Sequence, residues 1–150
     1  MPSFGGYDHI DCRVRSLAAV EPFYNALMPE LGLPNKRFSF VDEDGVWHAV
    51  ASGMHRYNTV EYYEEVQPDR ATFFMGIIER TDHVPALTRI AFRVERSRLV
   101  ELESFLREIG GRNVERNDDF EEYPAIFFED PAGTKLEVVS RAARTLEIAV

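Results

Sequence analysis

Hydrophobic and polar positions first alternate over residues 7–15. Ile10, Cys12 and Val14 share one face, and His9, Asp11, Arg13 and Arg15 the other; this is the period of a half-buried strand. The pattern then changes. Val20, Phe23, Leu27 and Leu31 recur every three or four residues, one stripe of an amphipathic helix. Ser16 is its expected N-cap, Pro22 falls in or near its first turn, Pro29 kinks or ends its last turn, and Gly32 closes it. Residues 37–41 and 46–51 predict a hairpin around Asp42-Glu43-Asp44-Gly45. Residues 52–70 mix Tyr57, Tyr62 and Tyr63 with Glu61, Glu64 and Glu65, which leaves an extra strand and a covering loop both open. Residues 72–79 are a strongly apolar strand, and 81–86 a linker.

The pattern then restarts. Over residues 88–94, Ile90, Phe92 and Val94 face one way and Arg89, Ala91 and Arg93 the other. Ser97 is the expected cap of a second helix, with Leu99, Leu102, Leu106 and Ile109 as its stripe and Gly110-Gly111 as its stop. A short strand over 113–117 precedes a hairpin, 125–129 and 134–139, around Asp130-Pro131-Ala132-Gly133. Asp first, Pro second and Gly last suit a type I turn. On the last strand Leu136 and Val138 share a face, and Lys135, Glu137 and Val139 the opposite one. Glu137 is either a solvent-facing glutamate or part of a site. Leu146, Ile148 and Val150 alternate in the tail, so an edge strand there is one option.

One half lies over the other at an offset of 80: His9-Ile-Asp-Cys-Arg-Val14 on Arg89-Ile-Ala-Phe-Arg-Val94. Each strand leads into a helix ending in an aliphatic residue and Gly, Leu31-Gly32 and Ile109-Gly110, and each helix is followed by strands only. The unit β-α-β-β-β occurs twice and predicts two copies of one module about a pseudo-twofold axis. Three or four strands with one helix bury little alone, so the two sheets are expected to complete each other. With the helices on the Ile/Val/Phe faces, the polar faces turn inward and bring His9, Asp11, Arg13, Arg89, Arg93 and Glu137 into one cleft.

Composition narrows the function classes. The chain has 150 residues, 45% of them hydrophobic, and a formal charge of −9, which fits a folded domain and argues against nucleic acid as the main partner. Cys12 is the only cysteine, which excludes an intrachain disulfide and zinc-finger spacing. No apolar run approaches the ~20 residues of a membrane helix. The opening Met-Pro-Ser-Phe-Gly-Gly has neither the basic nor the apolar region of a signal peptide. A cytoplasmic location without membrane association is expected. Nucleophile-elbow, P-loop and dinucleotide fingerprints are missing from the sequence.

The paired modules, Asp8-His9-Ile10, Phe23-Tyr24 with Leu31-Gly32, Arg89-Ile-Ala-Phe-Arg-Val94, and Phe128-Glu-Asp-Pro-Ala-Gly-Thr-Lys-Leu-Glu137 resemble the vicinal oxygen chelate superfamily. That superfamily includes glyoxalase I, extradiol dioxygenases, and fosfomycin- and bleomycin-resistance proteins. The resemblance spans residues 5–141 and implies an α+β fold, two βαβββ modules whose sheets form a concave, cup-like cleft. Module one is about 5–80, module two about 86–141, and 142–150 a tail, all within a single domain. In the family a metal is held by a first-strand residue of each module and by residues on the last strands. His9 matches the first-strand ligand and Glu137 the last-strand ligand of module two. Arg89 stands where the family has its second His, and a guanidinium cannot ligate a cation. Glu61 and Glu79 are the module-one candidates.

Two function classes follow. In one, the protein binds a small anionic or vicinal-oxygen ligand in the cleft, through His9, Arg13, Arg89, Arg93 and Glu137, without metal. In the other, a divalent ion (Zn, Ni, Mn or Fe) on His9 and Glu137 serves a lyase, isomerase or dioxygenase. Arg89 either pairs with Glu137 where the cation would sit or joins Arg13 and Arg93 on a substrate anion; Arg13 and Arg93 have the further option of neutralising Asp11 and Glu137. His48, His55 and His83 show no ligand spacing and read as surface or loop residues. Cys12, on the helix-facing side, reads as a buried, inert thiol. The resemblance also implies a homodimer, with the aromatic stretch Tyr57 to Tyr63 suited to the interface.

Overall fold

The structure, a computed structural model, describes residues 5–86 and 88–140. The alternating tail, with Leu146, Ile148 and Val150, lies outside the described residues. Strand β1 (His9–Val14) leads through Ser16 into helix α1 (Leu17–Glu30). The Ser16 hydroxyl accepts from Ala19 N, and the Glu79 carboxylate accepts from Leu17 N at 2.8 Å. Two acceptors therefore satisfy free donors at the helix's positive end. Pro22 is not in the first turn: it lies inside the helix, as does Pro29. Leu17, Val20, Phe23, Tyr24, Leu27 and Met28 are buried, a wider stripe than the sequence pattern drew.

Both helices end in the same way. Gly32 (φ 88) donates to Pro29 O and Leu33 to Met28 O; Gly110 (φ 96) donates to Arg107 O and Gly111 to Leu106 O. These are paired Schellman caps, which require a left-handed residue that glycine supplies without strain. Helix α2 (Leu99–Glu108) is entered through a 3-10 turn, Arg96–Arg98, with no side-chain cap. Ser97 sits inside that turn and does not cap the helix. Leu99, Leu102 and Leu106 are buried as expected.

Module one holds β2 (Asn35–Val41), β3 (Trp47–Val50), β4 (Thr59–Tyr63) and β5 (Phe74–Glu79); module two holds β6 (Arg89–Arg93), β7 (Arg112–Arg116), β8 (Ala125–Glu129) and β9 (Lys135–Val139). The sheets run β1-β5-β4-β2-β3 and β6-β9-β8-β7. Without β3 the two orders are the same, with parallel β1·β5 matching parallel β6·β9. The module-one unit is thus βαβββ with one added hairpin strand. The mixed segment 52–70 contains β4, which pairs with both β2 and β5 and is interior to the sheet.

One cluster of buried side chains runs through both modules, from Cys12, Val14 and Tyr62 to Leu102, Phe128 and Val138. The aromatic stretch offered as an interface is spent inside. Tyr62 is buried and donates to Asn25, Tyr57 donates to Glu21, and Tyr63 stacks on Phe74. The Asp130–Gly133 turn forms as read, with Gly133 N donating to Asp130 O. Asp130 itself is fully buried. It accepts from Ala132 N, Thr134 N and, across the modules, from Tyr24 OH at 2.7 Å. Tyr24→Phe removes one partner of a buried carboxylate and should destabilise by about 1–3 kcal/mol. Denaturant titration checks this, and a loss below ~0.5 kcal/mol would show that the bond contributes nothing net.

Candidate functional site

Registered partners in neighbouring strands point to the same face, so strand pairing reads out the polar surface row by row. In module one the rows are His9–Phe74–Tyr63, Asp11–Gly76–Glu61–Arg37 and Arg13–Ile78–Thr59–Ser39. In module two they are Arg89–Lys135–Glu129, Ala91–Glu137–Phe127 and Arg93–Val139–Ala125. These faces point away from the helices, yet Thr59, Glu61, Ile78, Glu137 and Ala125 are buried. Glu137 is 6% exposed, which removes the solvent-facing reading. Its Oε1 accepts from Tyr123 OH at 2.8 Å.

His9 lies flat on Phe74, centroids 4.6 Å apart and planes 3° from parallel. Its Nδ1 donates to Asp8 Oδ2 (2.7 Å), and its Nε2 lies 3.7 Å from Asp11 Oδ2. The Asp8 hydrogen bond raises the His9 pKa above 6.5 against the opposing effect of desolvation, with Asp11 and Glu61 adding to the rise. Glu61 is buried, accepting from Ser39 Oγ and from Tyr63 OH at 2.6 Å. Burial, with that bond, pushes the Tyr63 phenol up to about 12. Glu79, the other module-one carboxylate candidate, is engaged by the start of α1 and serves that helix.

Arg89 does not pair with Glu137. Its guanidinium lies over the Phe127 ring, 4.5 Å from the centroid, and makes no ion pair with a described residue. Arg13 and Arg93 are exposed and form no ion pair among the described residues either, so the neutralising role beside Asp11 and Glu137 finds no support. His48 donates to Asp42 from an exposed strand. Cys12 is buried, and desolvation pushes its thiol up to about 12, which fits an inert core thiol.

The architecture matches known structures over nearly its whole length. A glyoxalase/bleomycin resistance protein from Albidiferax ferrireducens T118 is 20% identical with a TM-score of 0.59, covering 91% of this chain and 98% of that one. A putative glyoxalase from Bacillus halodurans is also 20% identical, with a TM-score of 0.60 over 91% and 96%. A mutant of the fosfomycin resistance protein FosX from Listeria monocytogenes, complexed with Mn(II) and 1S,2S-dihydroxypropylphosphonic acid, is 14% identical with a TM-score of 0.52 over 93% and 95%. No protein-family model and no curated protein matches the sequence. The fold is the vicinal oxygen chelate fold.

The metal positions that this fold implies can be tested on the residues present. His9 and Arg89 are equivalent first-strand positions, and the next row equates Gly76 with Glu137, since Asp11 pairs with Gly76 and Ala91 with Glu137. Gly76 has no side chain to ligate, and Arg89 repels a cation. A Cβ on Gly76 would lie 2.5 Å from Asp11 Oδ1, so the neighbouring carboxylate fills the space of the missing side chain. That oxygen is itself buried and has no hydrogen-bond partner among the described residues. Among the described residues no group of three or more His, Cys, Asp or Glu is arranged to hold a metal ion. The donor set does not fit the metal site of the vicinal oxygen chelate fold.

A histidine whose folded pKa is raised contributes stability that is full below 6.5 and is lost as pH rises through the folded pKa. NMR titration of His9 should therefore give a midpoint above 6.5, lowered in Asp8→Asn. A wild-type midpoint at or below 6.5 would contradict the Asp8 bond.

Proposed function

We propose that the chain binds a small anionic molecule in the cleft between its two sheets and does so without a family-type metal. One observation carries this reading: Arg13, Arg89 and Arg93 stand on the polar sheet faces with no carboxylate partner among the described residues. An arginine with no protein anion presents its planar set of N–H donors to a ligand oxyanion, and carboxylate or phosphate oxygens match it two at a time. Arg89 is additionally held over Phe127, which reduces the side-chain entropy lost when an anion binds. His9, positively charged over a wider pH range than an ordinary imidazole, adds a cation at the module-one end. Glu137, which already accepts from the Tyr123 hydroxyl, would accept from a ligand hydroxyl in the same way. The diol-phosphonate complex of the FosX mutant offers a ligand of this chemical class in a similar fold.

Calorimetric titration separates this reading from its rival. Methylphosphonate should bind wild type, and Arg89→Gln should weaken it about tenfold, the scale of one lost hydrogen bond to a charged group. Zn²⁺, Ni²⁺ and Mn²⁺ should bind wild type poorly, and Arg89→His should improve them by removing a charge and restoring an imidazole. Stoichiometric, tight metal binding by wild type that is lost in Glu137→Ala would overturn the reading. A metal-dependent lyase, isomerase or dioxygenase built on His9 and Glu137 would take its place.

A homodimer is also proposed, now on the resemblance alone, since the aromatic stretch 57–63 is used internally. Sedimentation velocity should give about twice the 17.2 kDa of the chain; a monomer at all concentrations would refute it.

A further inference from the structure

Module one carries a hairpin strand that module two lacks, and this strand, β3, forms an edge of its sheet. The described sheets end in four edge strands, β1, β3, β6 and β7. A free edge is a template for pairing with another chain, and proteins block it with charged side chains, proline or a bulge. Three of the four are blocked. β1 carries Asp11 and Arg13, and β6 carries Arg89 and Arg93. β7 carries Arg112, Glu115 and Arg116, with a register shift between Arg112 and Glu115. Strand β3 is Trp47-His48-Ala49-Val50, which has no Lys, Arg, Asp, Glu or Pro and runs along β2 in unbroken register.

The hairpin fixes which backbone groups of β3 are free. Asp42 N donates to Val46 O at 3.0 Å, and antiparallel pairs alternate between bonded and non-bonded. In the observed register the next bonded pairs are Phe40–His48 and Phe38–Val50. The N–H and C=O groups of Trp47 and Ala49 therefore turn outward, away from β2. The turn is held firmly: Asp42 Oδ1 accepts from Asp44 N (3.0 Å) and Val46 N (2.9 Å), and its Oδ2 accepts from His48 Nε2 (2.7 Å). The surface beside this edge is apolar. Val46, Trp47 and Met54 are three of the seven large hydrophobic side chains exposed among the described residues. Charges of opposite sign flank it. Glu43 and Asp44, exposed before the strand, make no ion pair with a described residue, and neither do His55 and Arg56, exposed after it.

We infer that the β3 edge pairs with the same edge of a second copy of this chain. Antiparallel pairing about a two-fold axis at His48 sets Trp47 of each copy opposite Ala49 of the other. Both residues turn their backbone groups outward, so each such pair exchanges both of its N–H to C=O bonds. The two five-stranded sheets then become one continuous sheet. A large ring lies across from a small side chain, which lets the two copies approach. Antiparallel direction also brings the start of one β3 to the end of the other. Glu43 and Asp44 of each copy thereby meet His55 and Arg56 of the other, so charges without an ion-pair partner inside the chain are complementary between chains. The inference deepens the homodimer proposal, on which it rests, by assigning its surface. A two-fold contact of this kind uses up the edge and closes at two copies.

Trp47 reports on the contact, because it is the single tryptophan of the chain. Sedimentation velocity over a concentration series of the full chain should show dimer formation, with the Trp47 emission moving to shorter wavelength over the same range. Ala49→Pro removes an outward N–H and keeps the ladder to β2; it should raise the dimer Kd about tenfold or more. Glu43→Lys and Arg56→Glu should each weaken the dimer about tenfold, and the two together should restore it. Val100→Lys, at an exposed position on α2, should leave association as in wild type. Circular dichroism should match wild type throughout, and if Ala49→Pro does not fold, the charge reversals decide. A wild type that stays monomeric at all concentrations removes both the homodimer proposal and this inference. A wild-type dimer overturns the edge assignment alone, and leaves the homodimer to another surface, in any of three cases. The first is a Trp47 emission constant across the transition. The second is a double reversal no tighter than either single one. The third is a dimer lost in Val100→Lys and kept in Ala49→Pro.

Discussion

The hydrogen bond from Tyr24 to Asp130 joins the two modules at a buried point, and the relation of one sheet to the other depends on it. An ionised carboxylate without exposure is costly unless its lone pairs are filled. Asp130 fills them with two amides of its own turn and one phenol from the opposite module. Desolvation, reinforced by the charge of Asp130, raises the Tyr24 pKa well above 10, so the phenol stays a donor through the physiological range. Phe23 meets Phe128 in the adjacent layer, centroids 6.4 Å apart. The polar bond fixes a position and direction that apolar contacts, being non-directional, leave free. Two small sheets that bury little separately thereby acquire one shared core.

A shared frame does not impose shared chemistry. The two glycine caps and the strand order repeat closely, because they are set by backbone geometry and the helix-facing stripe. The opposite faces diverge at every row that a metal site would use. His9 corresponds to Arg89, Asp11 to Ala91, Gly76 to Glu137 and Glu61 to Phe127. The carboxylate of one module is thus displaced to strands on either side of the position it holds in the other. Asp11 leans over Gly76, and Glu61 is taken by Ser39 and Tyr63. Replacement of this kind leaves His9 and Glu137 without a matching ligand in the opposite half, while the strand order and the glycine helix stops are kept.

What the sequence reveals and conceals follows from this division. Strands with one apolar and one polar face announce themselves: Ile10, Cys12 and Val14 against His9, Asp11 and Arg13 is such a case, and Leu136 and Val138 against Glu137 another. Strand β4 hides because both its faces are buried. Thr59 and Glu61 are buried on the polar face and Val60 and Tyr62 on the helix side, so polarity no longer marks the water side. Glu79 reads as a possible ligand because its partner, Leu17 N, is 62 residues away. Ser97 has the chemistry of a cap but not its position, because the chain tightens into a 3-10 turn before α2. Gly76 gives no signal in isolation; its meaning is the Asp11 carboxylate beside it, a contact between strands far apart in the chain.

An anion site on this protein must also work against the protein's own field. A chain of formal charge −9 repels a small anion at distances beyond the ~8 Å over which physiological salt screens charge, so encounter is not electrostatically steered. Binding must come from short-range contacts. Arg89, held over Phe127 and without an ion pair among the described residues, is a donor that would supply them without first breaking an internal ion pair.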